Sequence, residues 1–216
     1  MRRSEKLQAS TEQIDFMRQK VEVLSRKAGL SHIPELCISK NERLASVNPF
    51  QYRICVGETV LSLWREGKFD DADVEATLAH EIGHLMDFHR DSHSKSFRNL
   101  LLESLWFASC VVPLVIYLIS PSLVTIILAA LIAIGWGFSL PWIIRRIEVS
   151  VELQADSNAA LYLVNPKQLA NALNKISSFG IPARRLGFTA KLSFLAGTLT
   201  HPTFKERQKN LQALAK

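Results

Sequence analysis

Apolar residues recur at helical spacing in three stretches of the chain. Ile14, Met17, Val21 and Leu24 form the first stripe, which Ser10 and Gln13 open as a capping box and Gly29 ends. Val74, Leu78, Ile82 and Leu85 form the second, with Asp70 or Asp71 as N-cap and the negative charge of Asp73 and Glu75 in the first turn. Leu169, Leu173 and Ile176 form the third, entered through Asn165-Pro166. Residues 36–39 and 52–56 read as short strands, with Asn48-Pro49 as turn chemistry between them. The stripes predict core-facing helices, and there is no internal repeat or low-complexity tract.

Between the second and third stripes the pattern changes. Residues 104–119 and 123–144 hold no charge, and Ser120-Pro121-Ser122 separates them as a turn. At about 1.5 Å per residue the second run is long enough to cross a hydrocarbon core of roughly 30 Å. The first reaches a full span only with residues 100–102, which puts Glu103 near the interface or against the protein. The expectation is a transmembrane hairpin; a helical hairpin buried in a protein core is the other reading of such runs. Arg90, Lys95 and Arg98 precede the hairpin, Arg145 and Arg146 follow it, and its turn has no positive charge, so both ends are expected on the cytoplasmic side. Trp106, Trp136 and Trp142 read as interface or packing anchors.

The second stripe also carries candidate chemistry. His80-Glu81-Ile82-Gly83-His84 places two histidines four apart, one above the other on a helix face, so both can direct ring nitrogens at one metal ion. Glu81 sits beside them, poorly placed as a third ligand but well placed to take a proton from a water that the metal activates and pass it to a leaving amine. The reaction this implies is amide hydrolysis. Gly83 is a weak helix former whose missing side chain lets a neighbouring element or a substrate come close.

A catalytic zinc needs a third protein ligand and an open fourth position. The extended motif that ends in a third histidine is excluded, because its glycine position holds Asp87 and its histidine position Arg90, with His89 one residue out of register. Glu152 and Asp156, four apart in a run of good helix formers, meet the need differently. Glu152 could ligate the metal, while Asp156 accepts a hydrogen bond from a ligand histidine and fixes its tautomer. His32, His89 and His93 read as ordinary surface or interfacial histidines, and Arg184 and Arg185 as a solvated or headgroup-facing pair.

Composition adds limits. A net charge of +6 suits an anionic membrane surface, and no dense basic and aromatic patch argues for nucleic acid. Cys37, Cys55 and Cys110 have no C-x-x-C spacing and read as reduced, buried small residues. Residues 1–10 are polar and basic, with no apolar core of a signal peptide. The expected fold is mostly α (α+β): a zinc protease domain, which the resemblance described below makes gluzincin-type, with a small β-sheet and an inserted two-helix transmembrane hairpin. Residues 1–99 are expected to form its first part, 100–144 the hairpin, and 145–216 the second part with the third ligand.

His80-Glu81-Ile82-Gly83-His84 followed by Glu152-Leu153-Gln154-Ala155-Asp156, with the charge-free runs between them, resembles the HtpX-like and CAAX prenyl protease family of integral-membrane gluzincins. Thr200-His201-Pro202 is similar to that family's Thr-His-Pro element, and Ala172-Leu173-Asn174-Lys175-Ile176 to the helix before it. The resemblance extends over most of residues 11–212. It implies a zinc-dependent endopeptidase with one Zn2+ on His80, His84 and Glu152, and Glu81 as base. His201, as a cleft residue, could donate to the tetrahedral oxyanion or visit the metal; capping the terminal helix is its plain alternative.

Two departures accompany the resemblance. No amino-terminal membrane hairpin is read here, and Asn48-Pro49-Phe50 stands where the family's substrate-binding edge strand commonly carries Asn-Ala-Phe. The function expected is peptide-bond hydrolysis by a membrane-anchored enzyme in the bacterial cytoplasmic membrane, its active site facing the cytoplasm. Its partners would be a protein or peptide substrate and the lipid bilayer, and the resemblance suggests membrane-protein quality control. The alternative is a non-catalytic zinc-binding membrane scaffold or binding module of the same fold; an intact Glu81 argues against it.

Overall fold

Ser10 starts the first helix by the reciprocal bonding its sequence calls for. Its Oγ accepts from the Gln13 N–H at 3.2 Å, and the Gln13 side chain accepts from the Ser10 N–H at 3.2 Å. The computed structural model describes residues 10–39, 44–119, 122–179 and 202–215. Helix α1 (Thr11–Lys27) buries Met17, Val21 and Leu24, and Gly29 follows it with φ +68°, a left-handed conformation suited to glycine.

Three strands follow: β1 (Glu35–Ser39), β2 (Ala45–Asn48) and β3 (Arg53–Gly57). The sheet order is β1-β3-β2, with β1 parallel and β2 antiparallel to β3. Strand β3, in the middle, turns Ile54 and Val56 into the core. The residue pattern alone does not predict β2, because Ala45-Ser46-Val47-Asn48 contains one β-branched residue among small and polar ones; only the resemblance, through Asn48-Pro49-Phe50, points to an edge strand there. Pro49 lies beyond the end of β2, in a turn where the Asn48 side chain accepts from the Gln51 N–H at 3.1 Å, so it removes no ladder bond.

The expectation of reduced cysteines is overturned for Cys37 and Cys55, while the Cys110 side chain lies outside the described residues. Cys37 and Cys55 are register partners on β1 and β3 and are joined in a disulfide, rather than standing as reduced residues. Spacing rules examine neighbours along the chain, whereas the parallel pairing brings together residues 18 apart in sequence.

Helix α2 (Glu58–Arg65) begins directly after β3 and buries Val60, Leu61 and Leu63. Helices α3 (Asp71–Ile119) and α4 (Leu123–Asn158) are long, and α4 continues into a π turn, Ala159–Leu163. Helix α5 (Pro166–Ser178) opens with the Asn165 side chain accepting from the Lys167 N–H at 2.8 Å, and among the described residues α6 (Phe204–Leu214) comes next. The described residues divide into two units. One contains residues 10–90, 151–179 and 202–215, and the other contains residues 91–150. The core of the first gathers Met17, Leu24, Ile54, Phe69, Leu78, Ile82, Leu85, Leu169 and Leu211, and each such side chain contributes about 1.5–3 kcal/mol on leaving water.

The second unit brings the main correction. Both charge-free runs are helical, but among the described residues no helix is long and apolar enough to cross a membrane. The transmembrane hairpin is therefore overturned. With it go the bilayer as partner, the membrane anchor of the active site, and the integral-membrane, cytoplasm-facing location. A hairpin needs two spans, and 104–119 holds 16 residues, about 24 Å of helix against a core of roughly 30 Å. Lack of charge shows that a segment has nothing to solvate; it does not identify what lies beside it.

Candidate metal centre

The first turns of α3 and the last turns of α4 make the site. Asp70 caps α3 through its Oδ1, which accepts from the Asp73 N–H at 2.9 Å, while the Asp73 carboxylate accepts from the Asp70 N–H at 2.9 Å. Beyond that start, Val74, Leu78, Ile82 and Leu85 face the core, which fixes the rotation of the helix about its axis. Gly83 then decides how near α4 comes. A Cβ built there would collide with the Ala155 carbonyl oxygen and lie 3.1 Å from its carbon, so the two backbones pack where only glycine fits. Asn158 ties the same contact by donating to the Gly83 carbonyl at 3.2 Å.

That contact brings Glu152 and Asp156 to the histidines. His80 Nε2 is 3.4 Å from one Glu152 oxygen, and His84 Nε2 is 3.6 Å from the other. One ligand atom from each of His80, His84 and Glu152 can be chosen so that all lie within 4.8 Å of one another. Two atoms about 2.0–2.1 Å from a single tetrahedral ion stand roughly 3.3–3.4 Å apart, so the donor set has the size and chemistry of a zinc site, with three protein ligands. On its other side, His80 presents Nδ1 to Asp156 Oδ1 at 2.9 Å. If Nδ1–H donates to that carboxylate, the Nε2 lone pair faces the cluster. Glu81 is 7 % exposed, directly beside His80 in sequence.

The electrostatics separate the two rings. Burial is the largest influence on His80 and lowers its pKa, and the Arg207 charge lowers it further. The hydrogen bonds to Asp156 and Glu152 and the Glu81 charge outweigh both and raise it to about 9. His84 has no comparable acceptor, and burial followed by the charge of His80 lowers it to about 4. Burial also acts most strongly on Asp156, pushing its pKa up, but the Arg207 and His80 hydrogen bonds prevail and hold the carboxyl below the usual range.

Sequence reasoning missed Arg207. Its Nε and Nη2 donate to the two oxygens of Asp156 at 2.7 and 2.6 Å, Nη1 lies 3.8 Å from Glu152, and the side chain is 13 % exposed. A signal was available. Thr203 and Glu206 form a capping box, which fixes the start of α6 and puts Arg207 in its first turn, on the face of the buried Leu211.

Of the expected site residues, His80, Glu81, His84, Glu152 and Asp156 fall on facing stretches of α3 and α4. His201 lies outside the described residues, as do Thr200, Arg184 and Arg185 and the side chains of His89, His93, Trp106, Trp136 and Trp142. His32 is exposed, its ring edge-on to Tyr52. Phe50, 89 % exposed, sets its ring edge-on to Phe88, one helical turn beyond His84.

The family model described as peptidase family M48 matches residues 12–215. No curated protein matches the chain.

Proposed function

The chain belongs to peptidase family M48, a family of zinc-dependent endopeptidases with the HtpX-like fold, and from that premise we propose that it hydrolyses peptide bonds with one zinc ion on His80, His84 and Glu152 and with Glu81 as the base. The observation that carries this reading is the convergence of three ligand atoms within 4.8 Å beside a buried carboxylate.

When bound, zinc supplies a Lewis acid for the scissile carbonyl and lowers the pKa of water toward 7. Glu81 accepts the proton of the attacking water and delivers it to the leaving amine. Asp156 takes the Nδ1–H of His80 and keeps that ring in one tautomer. His201 enters as a donor to the tetrahedral oxyanion on the resemblance of Thr200-His201-Pro202 alone. A protein or peptide substrate suits β2, which pairs with β3 on one side and, among the described residues, has no strand on the other. An extended chain can add to such an edge.

Glu81→Gln tests the assignment. Cleavage of an unfolded protein should fall by roughly 10²- to 10⁴-fold while zinc content stays at the wild-type level. Cleavage retained in the variant would remove Glu81 as the base.

A further inference from the structure

Arg207 has a place in the site that the ligand set does not explain. A guanidinium beside a cation-binding cluster repels the ion, so its burial there needs a compensating task. Its contacts indicate one. Both Asp156 oxygens are taken by a single planar fork, at 2.7 and 2.6 Å, and the Asp156 side chain has no exposed surface. The third nitrogen faces Glu152 at 3.8 Å. One side chain thus touches the acceptor behind His80 and a member of the ligand cluster together.

The charge balance points the same way. Glu81, Glu152 and Asp156 bring three negative charges, zinc brings two positive ones, and both histidines are neutral as ligands. Arg207 makes the sum zero, and it stays charged because guanidinium does not give up its proton in proteins. Its position on α6 is anchored from both sides. The capping box holds the start of the helix, and one turn on, Asn210 donates to the Leu153 carbonyl at 3.2 Å and to Ser157 at 3.1 Å.

We propose that Arg207 is a positioning residue of the metal centre: it clamps Asp156 and steadies Glu152, so that α6 completes the site. This rests on the functional reading above for its catalytic consequence, but its effect on metal binding stands apart from turnover.

The test compares wild type, Arg207→Ala, Arg207→Lys and Asp156→Asn in the full-length protein. Zinc affinity is read by competition with a chromophoric chelator, folding by circular dichroism and melting temperature, and turnover on an unfolded protein. Arg207→Ala should weaken zinc roughly 10- to 100-fold, as should Asp156→Asn, and the double variant should be little worse than either alone. Added guanidinium ion, kept well below denaturing concentrations, should restore part of the zinc affinity of Arg207→Ala and none of that of Asp156→Asn.

If Arg207→Ala does not fold, Arg207→Lys is read in its place. It keeps the charge but not the fork, and should still lose zinc affinity about tenfold. Wild-type zinc affinity in a folded Arg207 variant, or additive losses in the double variant, would overturn the proposal. Those outcomes do not depend on whether wild type cleaves the substrate, so a failure of the protease reading is seen separately, as absent wild-type turnover with zinc bound.

Discussion

Helices α3 and α4 each have two ends of opposite character. At residues 71–90 and 151–158, polar side chains are buried and have named partners: His80 with Asp156, Asn158 with the Gly83 carbonyl, Asp156 with Arg207. At residues 104–134, the described side chains include Phe107, Leu114, Leu118, Leu123, Leu128 and Leu131, all large, apolar and exposed. At the first end, each residue's identity is dictated by another particular residue. At the second, only its class is. This difference separates what could be inferred soundly from what could not, because spacing carries geometry and class carries none.

The largest effect should come from breaking the specific end, where the α3 and α4 backbones pack at Gly83 and Ala155. Valine at position 83 would place a branched side chain against the Ala155 backbone, which cannot move aside as the tip of a flexible side chain would. We expect Gly83→Val to cost about 3 kcal/mol in urea unfolding, even though glycine is the poorer helix former. Zinc affinity should fall roughly 100-fold, because α4 carries Glu152 and Asp156 away with it. A variant with wild-type stability and zinc binding would show that the two backbones are not in register-setting contact.

A smaller effect should follow at the start of α3. Asp70→Ala removes the cap and should cost about 1 kcal/mol. The Asp73 N–H bond, followed by the Lys175 ammonium, lowers the Asp70 pKa below its ordinary 3.8. Because the folded value is the lower one, the unfolded chain takes up the proton first as pH falls. The contribution is therefore complete above about pH 4 and is lost as pH drops through the folded value. Asp70 is well exposed, so this acid limb is shallow, and urea unfolding from pH 6 to pH 2 should show the wild type losing its advantage over the variant at the acid end. A constant gap across that range would mean that the carboxylate form of Asp70 adds nothing to the cap.

Much of the specific end was legible in the sequence. Ser10 with Gln13, Asn165 before Pro166, the stripe from Val74 to Leu85, and the pairs His80/His84 and Glu152/Asp156 are all short-range patterns whose period matches a helix. Gly83 was legible too, as a residue whose missing side chain admits a neighbour, although the sequence could not say that α4 was that neighbour. What escaped depends on long-range pairing. The Cys37–Cys55 disulfide needs the β1–β3 register, β2 needs β3 as its template, and Arg207 is 51 positions from its carboxylate partner. The apolar end differs in kind. Along 104–144 the charge-free pattern gives helices, but no residue in it names a partner, so the pattern does not identify what lies beside them.

The smallest effect tests that contrast from its other side. Leu128 is 51 % exposed on α4 and separated from Glu152 by 24 positions of sequence. Glutamine has nearly the same helix propensity as leucine, so Leu128→Gln changes polarity with little change in the backbone's preference. A leucine side chain supplies neither a hydrogen bond nor a charge to the cluster, and substitutions that share no partner with a site act independently of it. Zinc affinity by chelator competition should therefore stay within about twofold of wild type. A tenfold loss would break the comparison, since it would mean that the apolar stretch is held by contacts as specific as those around His80 and transmits their loss along α4 to Glu152.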